Sequence, residues 1–118
     1  MTPQQLQART TSFAVQVVRL TRELPRTEEA RVIARQLLRA GTGVGANYRA
    51  VCRARSDAEF IAKLGIVIEE CDETAYWLEL LAAAGVCTPA AIRSAHGEAD
   101  ELLRIMVASR ETVRRRRR

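Results

Sequence analysis

The sequence predicts an all-α protein with the architecture of an antiparallel up-down-up-down four-helix bundle. Apolar residues recur in steps of three and four through four long segments, which places them on one side of a helix in each. Only short polar connections separate the segments, as in antiparallel bundles. Aromatic residues are 4% of the chain although 47% is apolar, so the core is built from aliphatic side chains.

The first helix is predicted over residues 3–24. Thr2 and Pro3 form a start signal, a capping hydroxyl followed by proline in the first turn. Pro25 ends the helix. Its inner stripe consists of Leu6, Thr10, Phe13, Val17, Leu20 and Leu24.

The second helix is predicted over residues 27–53. Thr27 is its cap, and Glu28 and Glu29 favour the positive end of the helix dipole. Its inner stripe consists of Ala30, Ile33, Leu37, Ala40, Val44, Asn47 and Val51.

Three glycines interrupt this second segment, and they allow two interpretations. Gly41, Gly43 and Gly45 each cost up to ~1 kcal/mol relative to alanine in a helix. A glycine loop that binds phosphate would follow a strand and precede Gly-Lys-Ser/Thr, and neither is present. Because the apolar stripe keeps its phase through the glycines, we favour a continuous helix in which they allow a neighbouring helix to approach closely.

The third helix is predicted over residues 57–84, with a capping box formed by Ser56 and Glu59 and a stop at Gly85. Its stripe consists of Phe60, Leu64, Val67, Cys71, Thr74, Leu78 and Leu81.

The fourth helix begins at Thr88 and Pro89, and its stripe consists of Ile92, Ala95, Ala99, Leu102, Met106 and Val113. Residues 1–113 are therefore predicted to form the bundle. Five consecutive arginines, residues 114–118, repel one another and are predicted to be a disordered tail.

The remaining composition points to a cytoplasmic protein. Cys52, Cys71 and Cys87 are odd in number and lack metal-site spacing, so we interpret them as reduced thiols. The N-terminus lacks a signal-peptide pattern, and no apolar run is long enough to span a membrane.

Charge is unevenly distributed along the chain. Residues 1–55 have a net charge of +7, residues 56–113 of −7, and the final arginines add +5. This asymmetry suits either nucleic-acid binding or contacts between the basic face of one copy and the acidic face of another.

Catalysis is not expected. The acidic group Glu69, Glu70, Asp72 and Glu73 would need a Glu-x-x-His pair on each of two helices to hold a di-metal site. His96 is the only histidine and has no glutamate three residues before it. We therefore predict no enzyme activity, no metal and no cofactor, and interpret the acids as a solvated or interface-pairing face.

Asn47 occupies a position of the inner stripe where an apolar residue is expected. A buried amide without partners costs ~1–3 kcal/mol. We predict that Asn47 forms hydrogen bonds across the bundle and fixes its register, with ligand binding as the alternative.

A basic stripe lies on the opposite side of the second helix. At 100° per residue its arginines fall within about 80° of one another and point about 160° away from the inner stripe. Such a row can follow a phosphate backbone, although many charged stripes are only solvated or lie between subunits. The predicted nucleic-acid-binding residues are Arg31, Arg35, Arg39, Arg49 and Arg53, with Arg55 in the following hinge.

The sequence resembles the bacterial four-helix-bundle proteins encoded in intervening sequences of 23S rRNA genes. The matching residues are Leu24, Pro25, Gln36, Leu37, Leu38, Arg39, Ala40, Val44, Asn47, Arg55, Ser56, Glu59, Phe60, Leu64, Glu70, Glu73 and Leu78. Where many members have Ile-Ala-Glu-Gly, this chain has Tyr48, Arg49, Ala50 and Val51, so an arginine replaces the acid.

The resemblance implies a non-enzymatic homo-oligomer, a ring of five copies. The chain is also similar to the accessory variability protein of diversity-generating retroelements, a basic pentamer that binds a reverse transcriptase and nucleic acid. The expected partners are therefore other copies of the chain and RNA or DNA. The alternative function is that of a protein–protein adaptor for a reverse transcriptase or another polymerase.

Overall fold

A computed structural model describes residues 1–117, which form the predicted four helices. They are α1 (Pro3–Arg22), α2 (Glu28–Cys52), α3 (Asp57–Ala83) and α4 (Pro89–Arg116). The bundle measures 49 × 22 × 20 Å. Each helix packs against the next in sequence, and α1 closes the ring with a smaller contact to α4. Within residues 1–117, no helix is both long and apolar enough to cross a bilayer.

Contacts between neighbouring helices establish the up-down-up-down arrangement. Residues 10 and 17 of α1 lie against residues 45 and 41 of α2, so their numbers run in opposite directions. The same holds between α3 and α4, where Glu79 meets His96 and Asp57 meets Arg116. All four helices are therefore antiparallel to their neighbours, and the predicted fold class is confirmed.

The core is aliphatic, as the four stripes predict. Its largest fully buried side chains are one phenylalanine, five leucines and one methionine: Phe13, Leu37, Leu64, Leu78, Leu81, Leu102 and Met106. Two buried threonines satisfy their hydroxyls within their own helices, where Thr10 donates to the carbonyl of Gln7 and Thr74 to that of Glu70. Burial raises the pKa of the Cys71 thiol to about 12, so this cysteine is a protonated core residue.

Capping residues set the start of every helix. The side chains of Thr2, Thr27, Ser56 and Thr88 each accept a hydrogen bond from the backbone three residues later. The predicted capping box at α3 is only half formed, because the Glu59 carboxylate pairs with Lys63, at 2.9 Å, instead of returning to the cap. The reciprocal box occurs at α1, between Thr2 and Gln5.

Three of the five C-terminal arginines, for which a disordered tail is predicted, form the last turn of α4. α4 continues to Arg116, since Val113 is buried and Arg114 pairs with Glu111 at 2.9 Å. Arginine also favours the negative end of a helix dipole. Arg116 lies 3.7 Å from Asp57 at the start of α3. α4 thus extends three residues beyond residue 113, where the predicted bundle ends, and Arg118 lies outside the described residues.

The glycines of α2 make the close approach predicted for them, and the helix is continuous. A Cβ at Gly41 would lie 2.9 Å from both γ-methyls of Val17, and one at Gly45 would lie 3.1 Å from the Thr10 hydroxyl. Val17 and Thr10 are buried in α1 and cannot move aside freely. These two glycines therefore set the distance between α1 and α2.

Replacing Gly41 by alanine should destabilise the fold although alanine favours a helix. Overpacking against Val17 costs ~1–3 kcal/mol, and the gain in helix propensity returns at most ~1 kcal/mol. Gly97→Ala is the matched control, because nothing lies within 4 Å of a Cβ there. We expect G41A to lower the free energy of unfolding in urea and G97A to raise it. Equal effects of the two substitutions would contradict the close approach.

Candidate nucleic-acid interface

The bundle has one basic side and one acidic side. The net charge of +7 on residues 1–55 belongs to α1, α2 and their connections, and the −7 on residues 56–113 to α3 and most of α4. Since α1 packs on α2 and α3 packs on α4, the charges form two layers. We call α1 with α2 the basic layer and α3 with α4 the acidic layer.

Ion pairs join the two layers at both seams. Between α2 and α3, Arg39 binds the carboxylates of Glu73 and Glu70, the latter at 3.5 Å. Between α1 and α4, Arg9 forms a bidentate ion pair with Glu98, in which Nε and Nη2 each donate to a carboxylate oxygen at 2.8 Å. The hydrogen bonds that Arg39 donates to Glu73 and Arg9 donates to Glu98 raise the pKa of both arginines above the usual arginine value. Arginines at the seams are thus already paired with acids.

The six arginines predicted to bind nucleic acid are all exposed, but the structure separates them into groups. Arg39 faces the acidic layer, as described. Arg31 donates a hydrogen bond to the backbone carbonyl of Arg26, at 3.1 Å. Within residues 1–117, no ion pair of 4.0 Å or less was found for the remaining four, which are Arg35, Arg49, Arg53 and Arg55.

A groove of about 570 Å³ lies where the C-terminal half of α2 meets α1. Its basic groups are Arg49, Arg53 and Lys63, of which Lys63 is paired with Glu59. Small side chains form the rest of the lining. They are Thr10, Thr11, Ala14, Thr42, Gly45, Ala46 and Ala50, and no acidic residue is among them.

A second basic groove, of about 300 Å³, lies at the other end of the basic layer, around the α1–α2 turn. Three arginines line it, Arg22, Arg26 and Arg31, together with Thr21, Leu24, Pro25, Ala30 and Ala34. Arg22, Arg26 and Lys63 were not among the predicted site residues. Arg22 could have been found from the sequence, since it lies three residues after Arg19 on the same helix, whereas Arg26 lies in the connection between α1 and α2, where helical spacing gives no signal.

Asn47 does not form the predicted hydrogen bond across the bundle. It is half-buried, and its Nδ2 donates to the carbonyl of Gly43 in its own helix, at 2.8 Å. Tyr48 takes the adjacent buried position, with 7% of its surface exposed. The physical reason is that the carbonyl four residues earlier lies within reach of an asparagine side chain in a helix, and such local bonds compete with bonds to other helices. The Glu70 carboxylate of α3 occupies the space that a side chain at Gly43 would fill. The prediction for Asn47 is therefore corrected to a bond within α2.

The four clustered acids of α3 lie on two different sides of the helix. Glu70 and Glu73 face α2 and bind Arg39, whereas Glu69 and Asp72 are exposed. His96 lies 3.0 Å from the Glu79 carboxylate. Among residues 1–117, no three side chains of histidine, cysteine, aspartate or glutamate are grouped closely enough to hold a metal ion.

Comparison with known proteins identifies the family of this sequence. The sequence model of the 23S rRNA-intervening sequence protein matches residues 4–108. The chain belongs to the 23S rRNA-intervening sequence protein family. The matched range contains nearly all of α1, all of α2 and α3, and most of α4, so family membership covers both layers.

A solved structure supports the fold of this 23S rRNA-intervening sequence family member. The chain is similar to a protein of unknown function from the S23 ribosomal protein family of Bacteroides thetaiotaomicron VPI-5482, with a TM-score of 0.82 and 35% identity. The similarity covers 88% of this chain and 96% of the other. No curated protein has significant similarity to the chain.

The two kinds of arginine should respond differently to substitution. We expect Arg39→Ala to lower the midpoint of thermal unfolding, because it leaves the largely buried Glu70 carboxylate beside Glu73 without a cation. Arg35→Ala, one turn earlier and without an ion pair, should leave the midpoint unchanged. Circular dichroism of the two variants measures this. Equal midpoints would mean that the Arg39 pairs do not stabilise the seam.

Proposed function

We propose that the protein binds the phosphate backbone of nucleic acid through the exposed face of its basic layer, without catalysing a reaction. The proposal rests on the observation that one of the predicted arginines is held in ion pairs whereas most of the others are not. Arg39 is held by the acidic layer, whereas Arg35, Arg49, Arg53 and Arg55 face solvent without an ion pair among the described residues. Exposed arginines of this kind release counterions when they contact phosphates, which favours binding.

The surroundings of these arginines also support phosphate binding. Both grooves of the basic layer are lined by arginines and lack acidic side chains. Arg114, Arg115 and Arg116 end α4 at the same end of the bundle as Arg53. Because the family is named for an intervening sequence of 23S rRNA, structured RNA is the first ligand to test.

A salt series tests the proposal. We expect a labelled structured RNA to bind with an affinity that falls steeply with salt concentration, measured by fluorescence anisotropy. Arg49→Glu/Arg53→Glu should weaken binding about tenfold or more and reduce the salt slope by ~0.9 for each phosphate that is no longer neutralised. A chain ending at Val113 separates the contribution of the terminal arginines.

The matched control is Arg93→Glu/Arg104→Glu, which makes the same change in net charge on the exposed surface of α4. This variant should bind RNA nearly as well as the natural chain. Equal weakening in both double variants would mean that only net charge matters, and absence of binding by the natural chain would overturn the proposal.

Self-association is a second candidate, favoured by apolar side chains on the outer surface of α3. Ile66 is 47% exposed and Tyr76 is 55% exposed, next to the exposed acids Glu69 and Asp72. Such a face is complementary in charge to the basic layer of another copy, so head-to-tail contacts would form a homo-oligomer.

Light scattering distinguishes the two uses of the basic layer. We expect Ile66→Asp/Tyr76→Asp to reduce the molar mass, because it introduces charge into the apolar contact, with Arg93→Glu/Arg104→Glu as the unchanged reference. If Arg49→Glu/Arg53→Glu also reduces the mass, the basic layer is an interface between subunits. The effect of Arg49→Glu/Arg53→Glu on RNA binding would then be indirect.

A further inference from the structure

The exposed arginines of α2 repeat at a fixed distance. Arg31 and Arg35 form one pair, which we call the N-terminal arginine pair, and Arg49 and Arg53 form the C-terminal arginine pair. Corresponding members are 18 residues apart. In an α-helix this separation is about five full turns and about 27 Å, so both pairs point to the same side.

The part of the basic layer next to the C-terminal arginine pair has small, neutral side chains. Thr42, Gly45 and Ala46 of α2 lie there, beside Thr11 and Ala14 of α1. Arg39 would interrupt this surface, but its guanidinium is turned to Glu70 and Glu73. A wide, rigid ligand can therefore lie over small side chains beside the C-terminal pair, and Leu38, which lies between the two pairs, is packed against the core.

The basic layer has no aromatic side chain on which bases could stack. Phe13 and Tyr48 are the only aromatic residues of α1 and α2, and they are 1% and 7% exposed. Proteins that bind single strands commonly depend on base stacking, worth ~1–3 kcal/mol per base. Without it, a flexible strand must be ordered on the surface at an entropic cost that phosphate contacts alone have to offset.

We propose that the basic layer binds double-stranded nucleic acid, with each arginine pair on phosphates about 27 Å apart along α2. A duplex presents phosphates at fixed positions, and 27 Å corresponds to about 8 base pairs of B-form DNA at 3.4 Å per pair, or to somewhat more in the A form of RNA. This inference rests on the proposed function and specifies the ligand as a duplex contacted at two places. Phosphate contacts of this kind position the ligand but do not read its sequence.

Hairpins of two lengths test this geometry. Anisotropy would compare a stem of about 12 base pairs, a stem of about 6 base pairs with the same loop, and an unstructured strand of about 24 nucleotides, which has a similar number of phosphates. The variants are Arg31→Ala/Arg35→Ala, Arg49→Ala/Arg53→Ala, and the control Arg93→Ala/Arg104→Ala. Circular dichroism confirms that each is folded.

We expect the long stem to bind about tenfold more tightly than either other ligand, since only it reaches both pairs. Removal of either arginine pair should reduce its affinity to that of the short stem, and the control should have no such effect. If the single strand or the short stem binds as tightly as the long stem, the duplex inference is wrong although nucleic-acid binding stands. If none binds, the proposed function fails with it.

Discussion

The close approach of α1 and α2 is the constraint on which the rest of the structure depends. Gly41 and Gly45 allow it, because any side chain there would meet Val17 and Thr10. The two helices consequently pack closely against each other, and small side chains make up most of the lining of the groove between them. Glycine weakens an isolated helix, so tertiary packing must compensate for its low helix propensity. Here the compensation is the contact with α1 along the same turns.

The rotation of α2 in this layer decides the role of each of its arginines. With the glycines turned to α1 and Leu37 and Val44 in the core, Arg39 lies at the seam with α3. Arg35, Arg49 and Arg53 lie a fraction of a turn further round and face solvent. A difference of about 40° on the helix, as between Arg35 and Arg39, therefore separates an arginine that joins two layers from one that is free to bind a ligand.

The sequence predicted the fold and the buried stripes because apolar spacing averages over many residues. Every predicted stripe residue of α4, for example, is buried, and the helix starts at Thr2, Thr27, Ser56 and Thr88 follow from capping chemistry that acts within four residues. The partners of single polar groups could not be predicted, because they depend on which of several nearby groups is closest. Glu59 binds Lys63 rather than the cap, and Asn47 binds the Gly43 carbonyl of its own helix rather than a group on another helix. The sequence identified the exposed arginines, but it did not show that Arg39 forms ion pairs with α3 whereas its neighbours do not.

Screening explains how a chain with an acid-rich half can still present a basic face. The two layers are separated by about one helix diameter, ~10 Å, which equals the Debye length at ~0.1 M ionic strength. Exposed acids on the far side of the bundle are therefore largely screened from a ligand on the basic layer. Acids where the two layers meet are not screened in this way. Glu70 and Glu73 neutralise Arg39 directly, and Glu98 neutralises Arg9. The charge that the proposed phosphate ligand would meet is thus set by the distance of each arginine from the acids that join the two layers, and the net charge of +5 is a poor measure of it.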